Sequence, residues 1–313
     1  MRTHDIEFFS GPDRVRAIWR TPDEGGPFRA VVQGAGWLGL KDAKDYLRYH
    51  EGLTAAGFGV LSVDYRGFGD SEGERGIVNP THQLEDLINA VTYLTTRDDV
   101  VPGAIGAFAT GGTGGGNVVM LAAHDERVRA VVSQFPVADG EDWLRRQRTE
   151  WDWVQYKRML EEDRRQRVIT GESRMIHPRN EIMVQTPERT GSDFKSDVDK
   201  KIQMSVPASM VDPLLRYRPI DAARGLRTPL MVVTVEDDAT TPTDHATAIY
   251  EAAVGPKRLL VQRDAGHYDA YAKYGDRVIP EIVRWLDQHV QPVGDIIIKD
   301  DEATVEPFTN LGD

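Results

Sequence analysis

The chain has 313 residues, with 38 lysines and arginines against 50 aspartates and glutamates, and it contains no cysteine. That composition excludes disulfides, thiolate metal sites and cysteine nucleophiles together. A formal charge of −12 argues against nucleic acid as a partner, because phosphate binding needs a basic surface, and the length suits one large core that carries an insertion.

The opening residues, MRTHDIEFFSGPDRV, lack the charged, apolar and small-residue succession of a signal peptide, and no apolar run reaches membrane-spanning length. The expectation is a soluble, cytoplasmic protein without membrane contact. Residues 28–36 and 57–65 are short β-rich runs ending in glycine or polar turns. Between them Tyr46, Tyr49, Leu53 and Ala56 recur at helical intervals up to Gly57, which makes a β-α-β unit. The alternation continues with a helix over 82–94, a strand over 104–110, a helix over 117–125 and a strand over 128–136. After a long interruption come a strand over 229–237, a helix over 243–254, a strand over 257–264 and a helix over 277–290. This order predicts an α/β protein with a mostly parallel sheet covered by helices on both faces and ligands at the carboxyl ends of the strands.

The interruption, 138–204, reads as an inserted, largely helical lid, leaving a core of 1–137 and 205–292. Its helical stretch, 141–171, offers a semi-apolar face of Trp143, Trp151, Val154, Arg158 and Leu160. Trp143, Trp151, Trp153, Tyr156, His177 and the arginines of this segment are candidates to reach a small-molecule substrate. The tail, 293–313, has a three-isoleucine run suited to packing on the body or on a second subunit, so a homodimer is an open expectation.

Two turns carry chemistry. His267 follows a strand and a glycine, where a ring near the carboxyl edge of the sheet would serve as a general base. Glu236, Asp237 and Asp238 end another strand, where a carboxylate could orient that ring. The chain order is a glycine-rich elbow, then acid, then histidine.

The stretches GAGWLGLKD, DYRGFGDSEG, AIGAFATGGTGGGNVVMLAAHDERVRAVVSQFP, TPLMVVTVEDDATTP and DAGHYDAY together resemble the α/β-hydrolase superfamily, and within it bacterial hydrolases related to the dienelactone hydrolase and X-Pro dipeptidyl-peptidase groups. The resemblance implies the α/β-hydrolase fold, His267 as catalytic histidine and Asp238 as its acid, with Asp237 in reserve. It also implies that Trp37, after Gly36, offers its backbone N–H to an oxyanion, although Ala35 stands where the family has histidine. Asp64 and Arg66 are expected to brace a loop as a pair. Neither motif nor resemblance calls for a cofactor or a metal ion.

The serine of the family's elbow is absent from FATGGTGGGNVV, and Gly111, Gly112 and Thr113 each fit its place in one register. An elbow nucleophile sits at positive φ, which glycine accepts and a β-branched residue resists. Gly112 is therefore expected at the tip, with Thr113 after it supplying an N–H and a hydroxyl. Three functions follow. One is hydrolysis of a small ester, lactone, amide or activated carbonyl by the His267–Asp238 dyad, with water or Thr113 attacking. The second is a cofactor-free lyase, isomerase or decarboxylase with His267 as base, and the third is a non-catalytic binding relative.

Overall fold

The computed structural model describes residues 1–191 and 196–292. It opens with a hairpin, β1 (Arg2–Ser10) and β2 (Asp13–Thr21), turned through Gly11 at φ 58°. Then follow β3 (Phe28–Gly34), α1 (Lys44–Ala55), β4 (Phe58–Val63), α2 (Pro80–Thr95), β5 (Val100–Thr110), α3 (Gly112–His124) and β6 (Val128–Gln134). The sequence reading does not include the hairpin, although Val15 and Ala17 alternate with arginines along β2 and are buried, as are Ile18 and Trp19 after them. The signal in β1 is weaker because most of that strand is exposed.

Residues 138–204 leave the sheet. They form α4 (Gly140–Arg146), α5 (Glu150–Thr170), the two-residue strand β7 (Met175–Ile176), a π-type turn at Pro178–Ile182, α6 (Pro187–Gly191) and α7 (Ser196–Asp199). The stretch read as one helical run is two helices, since Asp139 and Thr149 each cap a helix start, accepting from the N–H of Asp142 and Asp152. The apolar face also differs from expectation. Trp153, Tyr156, Leu160 and Asp163 turn inward, whereas Trp151 is 69% exposed. β8 (Val206–Pro207) pairs antiparallel with β7. The chain then returns through α8 (Val211–Leu215), α9 (Pro219–Ala223), β9 (Leu230–Val235), α10 (Thr243–Ala252), β10 (Lys257–Gln262), α11 (Ala270–Lys273) and α12 (Gly275–His289). The tail, with its expected isoleucine packing and its bearing on a homodimer, lies outside the described residues.

Eight strands form one sheet in the order β1-β2-β4-β3-β5-β6-β9-β10, antiparallel across β1, β2 and β4 and parallel from β4 to β10. β4 and β9 are buried at every position, as strands covered on both faces must be. One core joins the sheet to α2, α3 and α10 through Leu87, Val119 and Ile249. The other joins it to α1 and α12 through Leu53, Ile282 and Leu286. No helix among the described residues is long and apolar enough to cross a membrane.

α3 starts five residues before the expected 117, because its first turns are glycines that apolar periodicity does not register. Packing explains them. A Cβ on Gly114 would lie 2.7 Å from the Ala35 carbonyl, on Gly115 2.9 Å from that of Gln134, and on Gly116 2.2 Å from the Tyr217 hydroxyl. Glycine costs helix propensity here but lets α3 lie directly on the backbone beyond β3 and β6. Gly115→Ala forces a methyl against main chain that cannot rotate away, and should destabilise the protein by about 1–3 kcal/mol in denaturant unfolding; unchanged stability would contradict this packing.

Candidate active site

The turn after β3 is held by short-range contacts. Gly39 donates its N–H to the Gly36 carbonyl at 2.9 Å, Gly36 donates its own to the Tyr46 hydroxyl at 3.1 Å, and Leu38 takes φ 49°. Burial pushes the Tyr46 phenol up to about 12, so it stays neutral as it accepts. Gly36 faces the next loop so closely that a Cβ would lie 2.5 Å from the Thr110 carbonyl. The turn continues to Lys41, whose backbone N–H and ammonium both meet Asp64 at 2.7 Å. Arg66 instead bonds Asp86 through Nε at 2.6 Å and also reaches Glu85. Asp64 and Arg66 therefore brace separate loops rather than pairing with each other, because each has a closer buried partner of opposite charge.

The elbow differs from its expected register. β5 runs to Thr110 and α3 begins at Gly112, so a single residue makes the turn, and it is Gly111, at φ 82°. Gly112 is already helical, and its carbonyl accepts from the Val137 N–H at 2.9 Å. The donor following the tip is thus the N–H of Gly112, which has no acceptor within its own helix and lies at the positive end of the α3 dipole. Thr113 lies in the first turn of α3, fully buried, with its carbonyl accepting from the Tyr217 hydroxyl at 2.8 Å. Its hydroxyl does not line the cavity that holds His267.

Gly111 has room for a side chain. A Cβ there would make only ordinary contacts, 3.4 Å to Gly36 Cα, 3.6 Å to the Tyr271 hydroxyl and 3.9 Å to the Trp37 nitrogen. The position beside the Trp37 N–H is reachable from Gly111, and the positive φ there strains any other residue without excluding one.

The aspartate that meets the histidine is Asp238. One oxygen accepts the N–H groups of Thr240 and Thr241 at 2.8 and 2.7 Å, and the other lies 2.7 Å from His267 Nδ1. Its side chain has no exposed surface, whereas Glu236 and Asp237 are exposed. Nδ1–H donation to Asp238 leaves Nε2 as the acceptor. Phe135, Tyr268 and Tyr271 pack the imidazole at ring-centroid distances of 4.8, 4.9 and 6.0 Å. The insertion touches the same turn, because Glu188 of α6 accepts the Tyr268 N–H at 2.9 Å. Of the other candidates in the insertion, Trp143 is buried edge-on against Trp37 with centroids 5.7 Å apart, while His177 accepts the Arg179 N–H at 3.1 Å.

The sequence carries no signal that singles out Tyr271, which stands four residues after His267 in DAGHYDAY. Its hydroxyl accepts from Thr110 Oγ1 at 2.7 Å, and burial pushes its pKa well above the ordinary phenol value. Trp37, Gly111, Gly112, Thr241, His267 and Tyr271 all border a cavity of about 30 Å³. That space suits one or two waters. It shares Arg179, Met183, Thr240 and Tyr268 with a cavity of about 370 Å³ under the insertion. Among the described residues no cluster of histidines and carboxylates could hold a metal ion.

A mostly parallel sheet with an elbow after β5, an acid after β9 and a histidine after β10 defines the class as the α/β-hydrolase fold. Within that class, the profile of the X-Pro dipeptidyl-peptidase (S15) family matches residues 11–269, and the chain belongs to this family of hydrolases. An uncharacterised 31.7 kDa protein of the traX-finO intergenic region of Escherichia coli is 28% identical over 278 residues, covering 88% of this chain and 96% of its own. Thiohydrolase aneE of Aspergillus aculeatus is 27% identical over 228 residues, 68% of this chain and 70% of its own. Among solved structures, the α/β hydrolase GrgF from Penicillium sp. sh18 superposes with a TM-score of 0.78 at 22% identity, over 93% of this chain and 99% of that one.

A serine placed at the turn residue should become reactive. Gly111→Ser is expected to acquire labelling by a serine-directed phosphonate that the wild-type protein lacks, and Gly112→Ser to stay unlabelled. Labelling of Gly112→Ser alone would show that the elbow is one residue further on.

Proposed function

We propose that the protein hydrolyses a small ester, lactone, amide or other activated carbonyl substrate, with a water molecule attacking from the place that the family gives to serine. The observation that carries this reading is the juxtaposition in one cavity of Gly111, which leaves that place open, with the His267–Asp238 pair. Water bound there gives its proton to His267 Nε2 as its oxygen bonds to the carbonyl carbon. The negative charge that develops on the carbonyl oxygen is met by the N–H groups of Trp37 and Gly112. Collapse of the tetrahedral species breaks the bond to the leaving group, which takes the proton back from His267. Asp238 stabilises the imidazolium between these two transfers.

Tyr271 places a neutral phenol beside the same site. Its hydroxyl meets Thr110 Oγ1 at 2.7 Å, and its raised pKa keeps the proton on the oxygen. Thr113 is set aside as nucleophile, because its hydroxyl is buried within α3 and away from the cavity. Membership of a peptidase family and the likeness to a thiohydrolase support hydrolysis over the lyase and binding readings.

A panel of p-nitrophenyl esters and thioesters tests this. His267→Ala should lower kcat by about 10²–10⁴-fold, whereas Thr113→Ala should stay within a few-fold of wild type. Hydrolysis unaffected by His267→Ala would overturn the proposal, and loss of activity in Thr113→Ala without loss of stability would return the attack to threonine.

A further inference from the structure

Thr241 borders the cavity of about 30 Å³ together with Gly111, Gly112 and His267, and it is only 2% exposed. Its Oγ1 has no hydrogen-bond partner among the described residues. The backbone fixes where that hydroxyl stands. The Thr241 N–H donates to one oxygen of Asp238 at 2.7 Å, and the other oxygen of the same carboxylate holds His267. Thr241 Oγ1 also lies 3.7 Å from where a Cβ on Gly112 would begin, at the start of α3. A buried hydroxyl without a partner is costly, and a water in the adjoining space relieves that cost.

An attacking water has two protons to place. One passes to His267 Nε2, while the other stays on the oxygen and needs an acceptor, so that a lone pair faces the carbonyl carbon. Most of the lining offers none. The indoles of Trp37 and Trp143 and the guanidinium of Arg179 are donors. The carbonyls of Gly111 and Gly112 accept from the N–H groups of Gly115 and Val137 at 2.8 and 2.9 Å, and the Tyr271 hydroxyl meets Thr110 Oγ1. Thr240 and Tyr268 also border the cavity of about 370 Å³, within reach of a bound substrate, whereas Thr241 borders the small cavity and not the larger one.

We infer that Thr241 is a further catalytic residue, whose Oγ1 accepts a hydrogen bond from the attacking water and holds that water against His267 Nε2. As the water oxygen bonds to the carbonyl carbon, its first proton moves to Nε2, and the O–H directed at Thr241 is retained in the acid released. The catalytic role rests on the hydrolytic reading above, but the water site does not.

Thr241→Val keeps the shape of the side chain and removes the acceptor. With p-nitrophenyl acetate it should lower kcat about tenfold with little change in KM, and Thr241→Ser should restore most of the loss. Added methanol supplies a reading that a merely structural defect would not move. Methanol has a single hydroxyl proton, which goes to His267, and its methyl group can face the valine. The ratio of methyl acetate to acetate should therefore rise about tenfold in Thr241→Val, whereas a distorted site slows both attacks alike. A high-resolution crystal structure reads the water without turnover, and should show it within hydrogen-bond distance of both Thr241 Oγ1 and His267 Nε2 in the wild type and lost in Thr241→Val. Absence of that water from the wild-type crystal, or an unchanged kcat and product ratio in Thr241→Val, would overturn the inference. The water in place with hydrolysis indifferent to His267→Ala would instead overturn the hydrolytic reading and leave the water site standing.

Discussion

The site depends on how closely the turn after β3 approaches the elbow after β5. Gly36 stands against the Thr110 carbonyl with no space for a Cβ, and this contact sets the Trp37 nitrogen 3.9 Å from where a Gly111 side chain would begin. The N–H groups of Trp37 and Gly112, proposed above as oxyanion donors, come from segments 75 residues apart in sequence, yet one backbone contact between glycine and peptide brings those segments together. The supports around it are polar and buried. Tyr46 holds the N–H of Gly36, and the Lys41–Asp64 pair holds the far end of the same turn. Such groups are costly to bury singly and become rigid when paired. The two N–H groups are thereby held in place, which is what the proposed stabilisation of a developing charge would require.

On the opposite side of the cavity, Asp238 is saturated by two backbone N–H groups and by His267. Its position follows from the parallel pairing of β9 with β10, which delivers the acid turn and the histidine turn to the same edge. The insertion closes the remaining side. Trp143 lies against Trp37 and donates its indole N–H to the Thr240 carbonyl at 2.9 Å, and Glu188 bonds the main chain beside His267. The insertion is thus joined to both halves of the site, and the space it roofs continues directly from the reaction centre.

The sheet was legible because parallel strands buried on both faces are continuous apolar runs bounded by turns, and the helices between them keep a 3.6-residue period. Asp238 and His267 could be named because each stands in the turn after such a run. The elbow register was harder. Every choice in a run of glycines satisfies positive φ, and only the observed end of β5 distinguishes Gly111 from Gly112. The inward face of α5 was misjudged because Trp151 and Trp153 are equally apolar as residue types, and tertiary packing selects the second. Tyr271 went unnoticed because its role depends on Gly111 and Thr110, which lie far away in sequence.

The central claim is that no side chain replaces the absent serine and that water attacks directly. Intact-mass spectrometry of enzyme quenched at millisecond intervals during turnover of an activated ester tests it most directly. The account predicts an unchanged protein mass at every time point while product accumulates without a burst. An acyl adduct that forms and decays at the rate of turnover would contradict it.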